Sequence, residues 1–223
     1  MTPLARTLIA ATALAMLTLT PTFADSSSDQ QQGGSQILNG QVNLNSSVSV
    51  LRTTVDSVGQ DVSVQSTAVG NTLDVTTMND TNVSNQQYTA GGDIVSDLGA
   101  QVTNVGGSVS IQGQATCNSA SISTDPNITQ VNSTQVCDAV DPYSNVNVNA
   151  AGVGGDLSVT NTAAANSFEA DSNATNMPLV NNQINHSSVT ATTTTNVSGV
   201  AGSVSVNASA TGNSAEIIHY STN

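Results

Sequence analysis

The chain has 223 residues, of which 15 are Asp or Glu and 2 are Lys or Arg, for a formal net charge of −13 at pH 7. That balance excludes nucleic acid and anionic lipid as partners, because neutralising phosphates takes clusters of basic residues. With 2% aromatic residues, no Trp and a 37% apolar fraction supplied mostly by Val and Ala, a thick conventional core is excluded as well, and a thin one between closely spaced strands is favoured.

Residues 1–24 read as a secretory signal peptide. Arg6 gives the positive start, Leu8 to Leu19 an apolar stretch, and Pro21 to Ala24 a cleavage site just before the polar run that opens with Asp25. The apolar stretch is shorter than the roughly 20 residues a spanning helix needs. Cleavage after Ala24 leaves all fifteen acids and Arg52 as the one Lys or Arg, a net charge of 1 − 15 = −14. The acids are spread along the chain, which fits solvated loops on a soluble surface. Residues 25–36, rich in Ser, Gln, Asp and Gly, are expected to form a flexible N-terminal tail.

Residues 37–223 read as four copies of one unit of about 47 residues. The best-kept part of the unit occupies 59–75, 106–122, 154–170 and 201–217, and is anchored by Asn71, Asn118, Asn166 and Asn213, spaced 47, 48 and 47 residues apart. Each copy opens on a turn that contains glycine, a glycine pair in two of the four. An alternation follows, Val62-Ser63-Val64 in the first copy, with its apolar counterparts at Val109 and Ile111, Leu157 and Val159, and Val204 and Val206. Such alternation places apolar side chains on one face of a strand and Ser on the other. A small position follows at Ala68, Ala115, Ala163 and Ala210, then a slot for Gly70, Cys117, Ala165 or Gly212 just before each asparagine, which reads as a tight corner.

A unit of this kind cannot bury its apolar face alone, so successive copies are expected to stack. The predicted fold is all-β, a β-solenoid (β-helix) of four repeats, in which equivalent residues lie roughly 4.8 Å apart, or twice that if each unit holds two coils. Asn71, Asn118, Asn166 and Asn213 would then form an asparagine ladder. A unit of this length is long for one coil and suits two of about 23 or 24 residues, so two coils per repeat are expected.

Cys117 and Cys137 most simply form one disulfide in an exported protein, since a metal site would lack further Cys or a nearby His. Closing the loop between them contributes roughly 3 kcal/mol by the chain-entropy estimate. His186 and His219 stand alone, and no nucleophile elbow with a base partner can be assembled. Neither an enzyme nor a cofactor nor a metal centre is therefore expected. Gly91-Gly92-Asp93 and Gly154-Gly155-Asp156 are similar to pieces of calcium-binding β-roll repeats, but the nine-residue pattern does not follow.

The phrases Thr67-Ala68-Val69-Gly70-Asn71-Thr72 and Thr211-Gly212-Asn213-Ser214-Ala215, with their Val-Ser-Val leads, resemble the holdfast attachment protein D family. The resemblance implies a surface protein that anchors a holdfast polysaccharide to the envelope of stalked bacteria. It implies two partners, the extracellular polysaccharide and an outer-membrane secretion or anchor lipoprotein. More loosely the phrases are similar to curlin repeats, although the regular Ser, Gln, Asn, Gln order of curlins is not kept. Two functions stay open: a polysaccharide anchor, and a self-assembling fibre subunit whose unprotected stack ends pair into homo-multimers.

Overall fold

The computed structural model describes residues 35–125, 129–138 and 140–220. The expected signal peptide, 1–24, and the expected tail as far as residue 34 lie outside the described residues. The described chain runs through strands in sets of three. The first set is β1 (Ser35–Asn43), β2 (Ser47–Val58) and β3 (Val62–Thr77), and the second is β4 (Thr81–Ala90), β5 (Ile94–Val105) and β6 (Val109–Thr124). The third is β7 (Thr129–Asp138), β8 (Tyr143–Val153) and β9 (Leu157–Ser172), and the fourth is β10 (Leu179–Asn185), β11 (Thr190–Val200) and β12 (Val204–His219).

Like strands of each set join in three parallel four-stranded sheets: A from β1, β4, β7 and β10, B from β2, β5, β8 and β11, and C from β3, β6, β9 and β12. Each residue pairs with its counterpart one repeat away, Ile37 with Val83, Val62 with Val109, and Asn118 with Asn166. The all-β expectation holds, and three parallel sheets offset by one repeat are consistent with a β-solenoid. The expectation of two coils per repeat is overturned, because one circuit of the three sheets uses one whole repeat. The physical reason is strand length. The strands of the second set run 10, 12 and 16 residues, so three strands and their short turns absorb the unit.

Inward and outward residues alternate along most strands, as a pleated strand with one solvated face requires, with a run of four buried residues at the middle of β6 and of β9. The first half of each sheet C strand packs on sheet B, where Val109, Ile111, Leu157 and Val159 meet Leu98, Val102, Val146 and Val153. Its second half packs on sheet A, where Ile122, Phe168 and Ala170 meet Val83 and Val131. Between the halves the strand bends. The pairing runs from Val69 with Thr116 to Asn71 with Asn118, and Gly70 and Cys117 are passed over.

The turn from sheet B into sheet C is built by stacking backbone on backbone. A side chain at Gly154 would put its Cβ 2.5 Å from the Gly106 carbonyl oxygen, which is why the glycine pairs recur there. Just before this turn one left-handed residue recurs in every circuit, Ser57 (φ 59°), Asn104 (φ 53°), Gly152 (φ 67°) and Gly199 (φ 62°). Only the two glycines adopt this conformation without steric cost.

Candidate functional site

The four predicted asparagines occupy one column of sheet C at the bend. Asn71 Nδ2 donates to Asn118 Oδ1 (2.9 Å), Asn118 to Asn166 (2.8 Å) and Asn166 to Asn213 (2.8 Å). The second N–H of each amide crosses the interior to a backbone carbonyl of sheet A, that of Tyr88, Val136 or Ile184. Asn118 and Asn166 are fully buried. A buried amide must satisfy both donors and its oxygen, and this arrangement does so.

A second column, which the sequence reading missed, faces the first from sheet A. Gln87 Nε2 donates to Gln41 Oε1 (3.1 Å), Gln135 to Gln87 (2.8 Å) and Gln183 to Gln135 (2.9 Å). Each glutamine sends its other N–H to the carbonyl just past the sheet C bend, that of Thr72, Ser119, Ser167 or Ser214. The glutamines of sheet A thus satisfy carbonyls of sheet C, and the asparagines of sheet C satisfy carbonyls of sheet A. Because a backbone carbonyl can only accept, it fixes which end of each amide is nitrogen. The asparagines therefore donate toward the fourth circuit and the glutamines toward the first, so the two rows of amide dipoles oppose each other. The available signal is the spacing of 46, 48 and 48 between Gln41, Gln87, Gln135 and Gln183, in segments that otherwise share little.

Cys117 and Cys137 are joined by a disulfide across the interior from β6 to β7 and are fully buried. In the preceding circuit the matching positions are Gly70 and Thr89, where the Thr89 hydroxyl donates to Asn118 Oδ1 (2.8 Å). The two histidines are not brought together. His186 Nδ1 lies 3.3 Å from Asp138 Oδ1 on the surface, and His219 Nε2 donates to the Ala174 carbonyl (2.7 Å). Among the described residues no three His, Cys, Asp or Glu side chains converge as metal ligands would.

The acidic turn residues bind neighbouring turns. Asp61 Oδ1 accepts the Ser108 N–H (2.8 Å), and Asp156 Oδ1 accepts both the N–H (2.8 Å) and the hydroxyl (2.9 Å) of Ser203. These bonds from Ser203 hold the Asp156 carboxyl below its usual range. Asp56 is held low in the same way by Thr103 and Asn104. On the outer face of sheet B the Arg52 guanidinium pairs with the Asp97 carboxylate and lowers its pKa, and Asn145 Nδ2 donates to the other oxygen (2.9 Å).

These features define a class: an all-β protein of stacked repeats, held inside by polar columns and presenting rows of hydroxyls and amides outside. The sequence pattern of holdfast attachment protein D matches residues 81–223, which is 143 of the 223 residues and starts where β4 starts. The chain belongs to the holdfast attachment protein D family, which implies a holdfast attachment function in bacteria. No curated protein and no solved structure matches it. Among the described residues no helix is long and apolar enough to cross a membrane.

Proposed function

We propose that the chain is an exported, non-enzymatic structural protein that anchors an extracellular, holdfast-like polysaccharide adhesin to the bacterial cell envelope. The observation that carries this reading is the family match, which spans the second, third and fourth circuits. The stack supports it physically, since long in-register sheets make a stiff spacer whose outward Ser, Thr, Asn and Gln side chains offer hydrogen bonds to sugar hydroxyls without a catalytic constellation. Its partners are the polysaccharide and an outer-membrane lipoprotein that exports or holds the chain, and its place is the cell surface, associated with the outer membrane. The test is a deletion strain scored for surface attachment, with shed adhesive measured separately. Cells are expected to lose attachment while releasing polysaccharide into the medium, and undiminished attachment would overturn the reading.

A self-assembling surface-fibre subunit is the second reading, and one observation favours it. In the fourth circuit Val204, Val206 and Ile217 are 47%, 46% and 49% exposed, whereas their counterparts Leu157, Val159 and Ala170 are buried. Among the described residues no strand pairs with the far side of β12. An open strand edge of this kind is a template for another chain. Sedimentation of the purified protein is expected to show large multimers that Lys at Val204 and Val206 abolishes. A wild-type chain that stays monomeric at high concentration would sink this reading.

A further inference from the structure

We propose that the outward face of sheet B carries a binding site for a neutral glycan chain, centred on the recess over Gly99. This rests on the attachment reading and adds to it the place of contact and the kind of sugar. In the sheet B register Arg52, Gly99, Asn147 and Thr194 form one outward column. Gly99 alone among them has no side chain, and a recess of about 400 Å³ opens there, lined by Arg52, Asp97, Gln101, Asn145 and Asn147.

The floor of the recess is fixed in advance. The Arg52 stem lies over Gly99, where a Cβ would come within 2.8 Å of Arg52 Cδ. Its guanidinium donates to the carbonyls of Leu51 (3.1 Å) and Asp97 (2.9 Å) and pairs with the Asp97 carboxylate, which Asn145 also holds. The only Arg of the described residues is thus held in place and compensated. Above this floor the side-chain amides of Gln101 and Asn147 are exposed, and among the described residues neither has a hydrogen-bond partner. An amide donates and accepts side by side, which is what vicinal sugar hydroxyls require.

Apolar surface for a sugar ring's C–H face lies along the same sheet face. The adjoining outward column, Val50, Asp97 and Asn145, offers Val50, 62% exposed, and the column beyond it holds Val48, 58% exposed, Val95, and Tyr143, 36% exposed. Circuits follow one another at roughly 4.8 Å, close to the advance of one ring in an extended β-linked chain, so successive rings meet successive circuits. Charge selects the ligand further. The outward face of sheet C carries Asp74, Glu169, Asp171 and Glu216, and the whole chain has 15 acids against 2 bases. A polyuronate would be repelled by that field and would find Arg52 already paired.

The experiment is calorimetric titration of the full exported chain with cellohexaose and chitohexaose as neutral probes and a galacturonate hexamer as the anionic one. Binding of a neutral hexamer but not of the uronate is expected. Filling the recess with Gly99→Leu, or removing its amides with Gln101→Ala and Asn147→Ala together, is expected to weaken that binding at least tenfold. The second variant leaves the Arg52–Asp97 pair intact, and circular dichroism checks that both fold. The control Ser84→Ala with Asn132→Ala, on the outer face of sheet A, is expected to bind as wild type. Binding unchanged in both recess variants would place the sugar elsewhere and overturn this site while leaving the attachment reading intact. Preference for the uronate, or no binding of any hexamer, would overturn it too. The attachment reading itself fails only if the deletion strain attaches normally.

Discussion

Asn118 is the residue on which the interior columns can be tested most sharply. Its oxygen accepts from Asn71 Nδ2 (2.9 Å) and from the Thr89 hydroxyl (2.8 Å), and its nitrogen donates to the Val136 carbonyl (2.9 Å) and to Asn166 Oδ1 (2.8 Å). Asn118→Ala strands the Asn166 oxygen in a buried site and takes one hydrogen bond from the Val136 carbonyl and one from the Asn71 amide. That amide keeps the Tyr88 carbonyl (3.0 Å) and the Thr89 hydroxyl (2.8 Å), while the Thr89 hydroxyl keeps the Cys117 carbonyl at 3.3 Å. Each stranded buried group costs about 1 to 3 kcal/mol. The two lost hydrogen bonds add about 1 kcal/mol each and a water entering the space left behind recovers part of the total, so a loss of about 2 to 4 kcal/mol is expected. Total stabilities are about 5 to 15 kcal/mol, so the effect is large. Asn213→Ala removes the equivalent side chain where it is exposed and water can replace it, and is expected to cost under about 1 kcal/mol. Asn118→Asp keeps the shape but turns a carboxylate toward two acceptors, and part of its loss should return at low pH when protonation restores one donor. Urea unfolding followed by circular dichroism reads all three as midpoint shifts. Equal, small losses for Asn118→Ala and Asn213→Ala would show that the column is a by-product of the register and does not hold it.

Ser57 is the one non-amide, non-glycine residue in the recurring left-handed position, with φ 59°. Ser57→Gly should raise stability by about 1 kcal/mol, read from the urea midpoint, because a side chain in this conformation costs about 1 to 2 kcal/mol and glycine does not bear it. Cys117→Ala with Cys137→Ala should lower stability by about 3 kcal/mol through the loss of a 20-residue cross-link, and reductant should leave the folded wild type intact longer than the urea-unfolded chain because both sulfurs are buried. Acid should destabilise the fold. Asp56, Asp97 and Asp156 are all held below the ordinary carboxyl value of 3.8. Their contribution is present above that value and is lost as pH falls through the lower folded values. The thermal midpoint should therefore drop below about pH 4, and Asp156→Asn, which keeps the acceptor, should flatten that drop slightly.

The sequence carried the stack well because the evidence for it is a period, and a period survives substitution. Asn71, Asn118, Asn166 and Asn213 stood out because the residues around them are also kept, so the column they form in sheet C could be read before any coordinates. Gln41, Gln87, Gln135 and Gln183 follow the same period but sit in segments with little else in common, and Asn-rich and Gln-rich neighbours such as Gln86 and Asn182 mask them. The number of circuits per repeat was misread for a different reason. Length alone suits two short coils, and nothing local announces that a strand such as β6 continues through its bend for 16 residues. The sheet B recess is equally silent, since it depends on a glycine in one circuit lying between side chains of the two others.

The polar columns explain how so thin a core can specify one structure. Val, Ala, Ser and Thr alternate along most strands, so sliding one circuit by two residues over the next would still bury apolar groups, and apolar packing alone sets the register weakly. The amides remove that freedom. A two-residue slip of β6 on β9 would take Asn118 from Asn166 and leave an Asn118 N–H and the Asn166 oxygen unpaired in the interior, at a cost that outweighs a few exchanged methyl contacts. Because the asparagine and glutamine rows lie on different sheets and each reaches the other's backbone, sheet A and sheet C cannot slip independently. Opposed donation also lets the two rows lengthen together without building up a net dipole along the stack. Three parallel ladders and two amide rows tie each circuit to the next, an arrangement suited to bearing load, as the proposed anchoring role would ask of it.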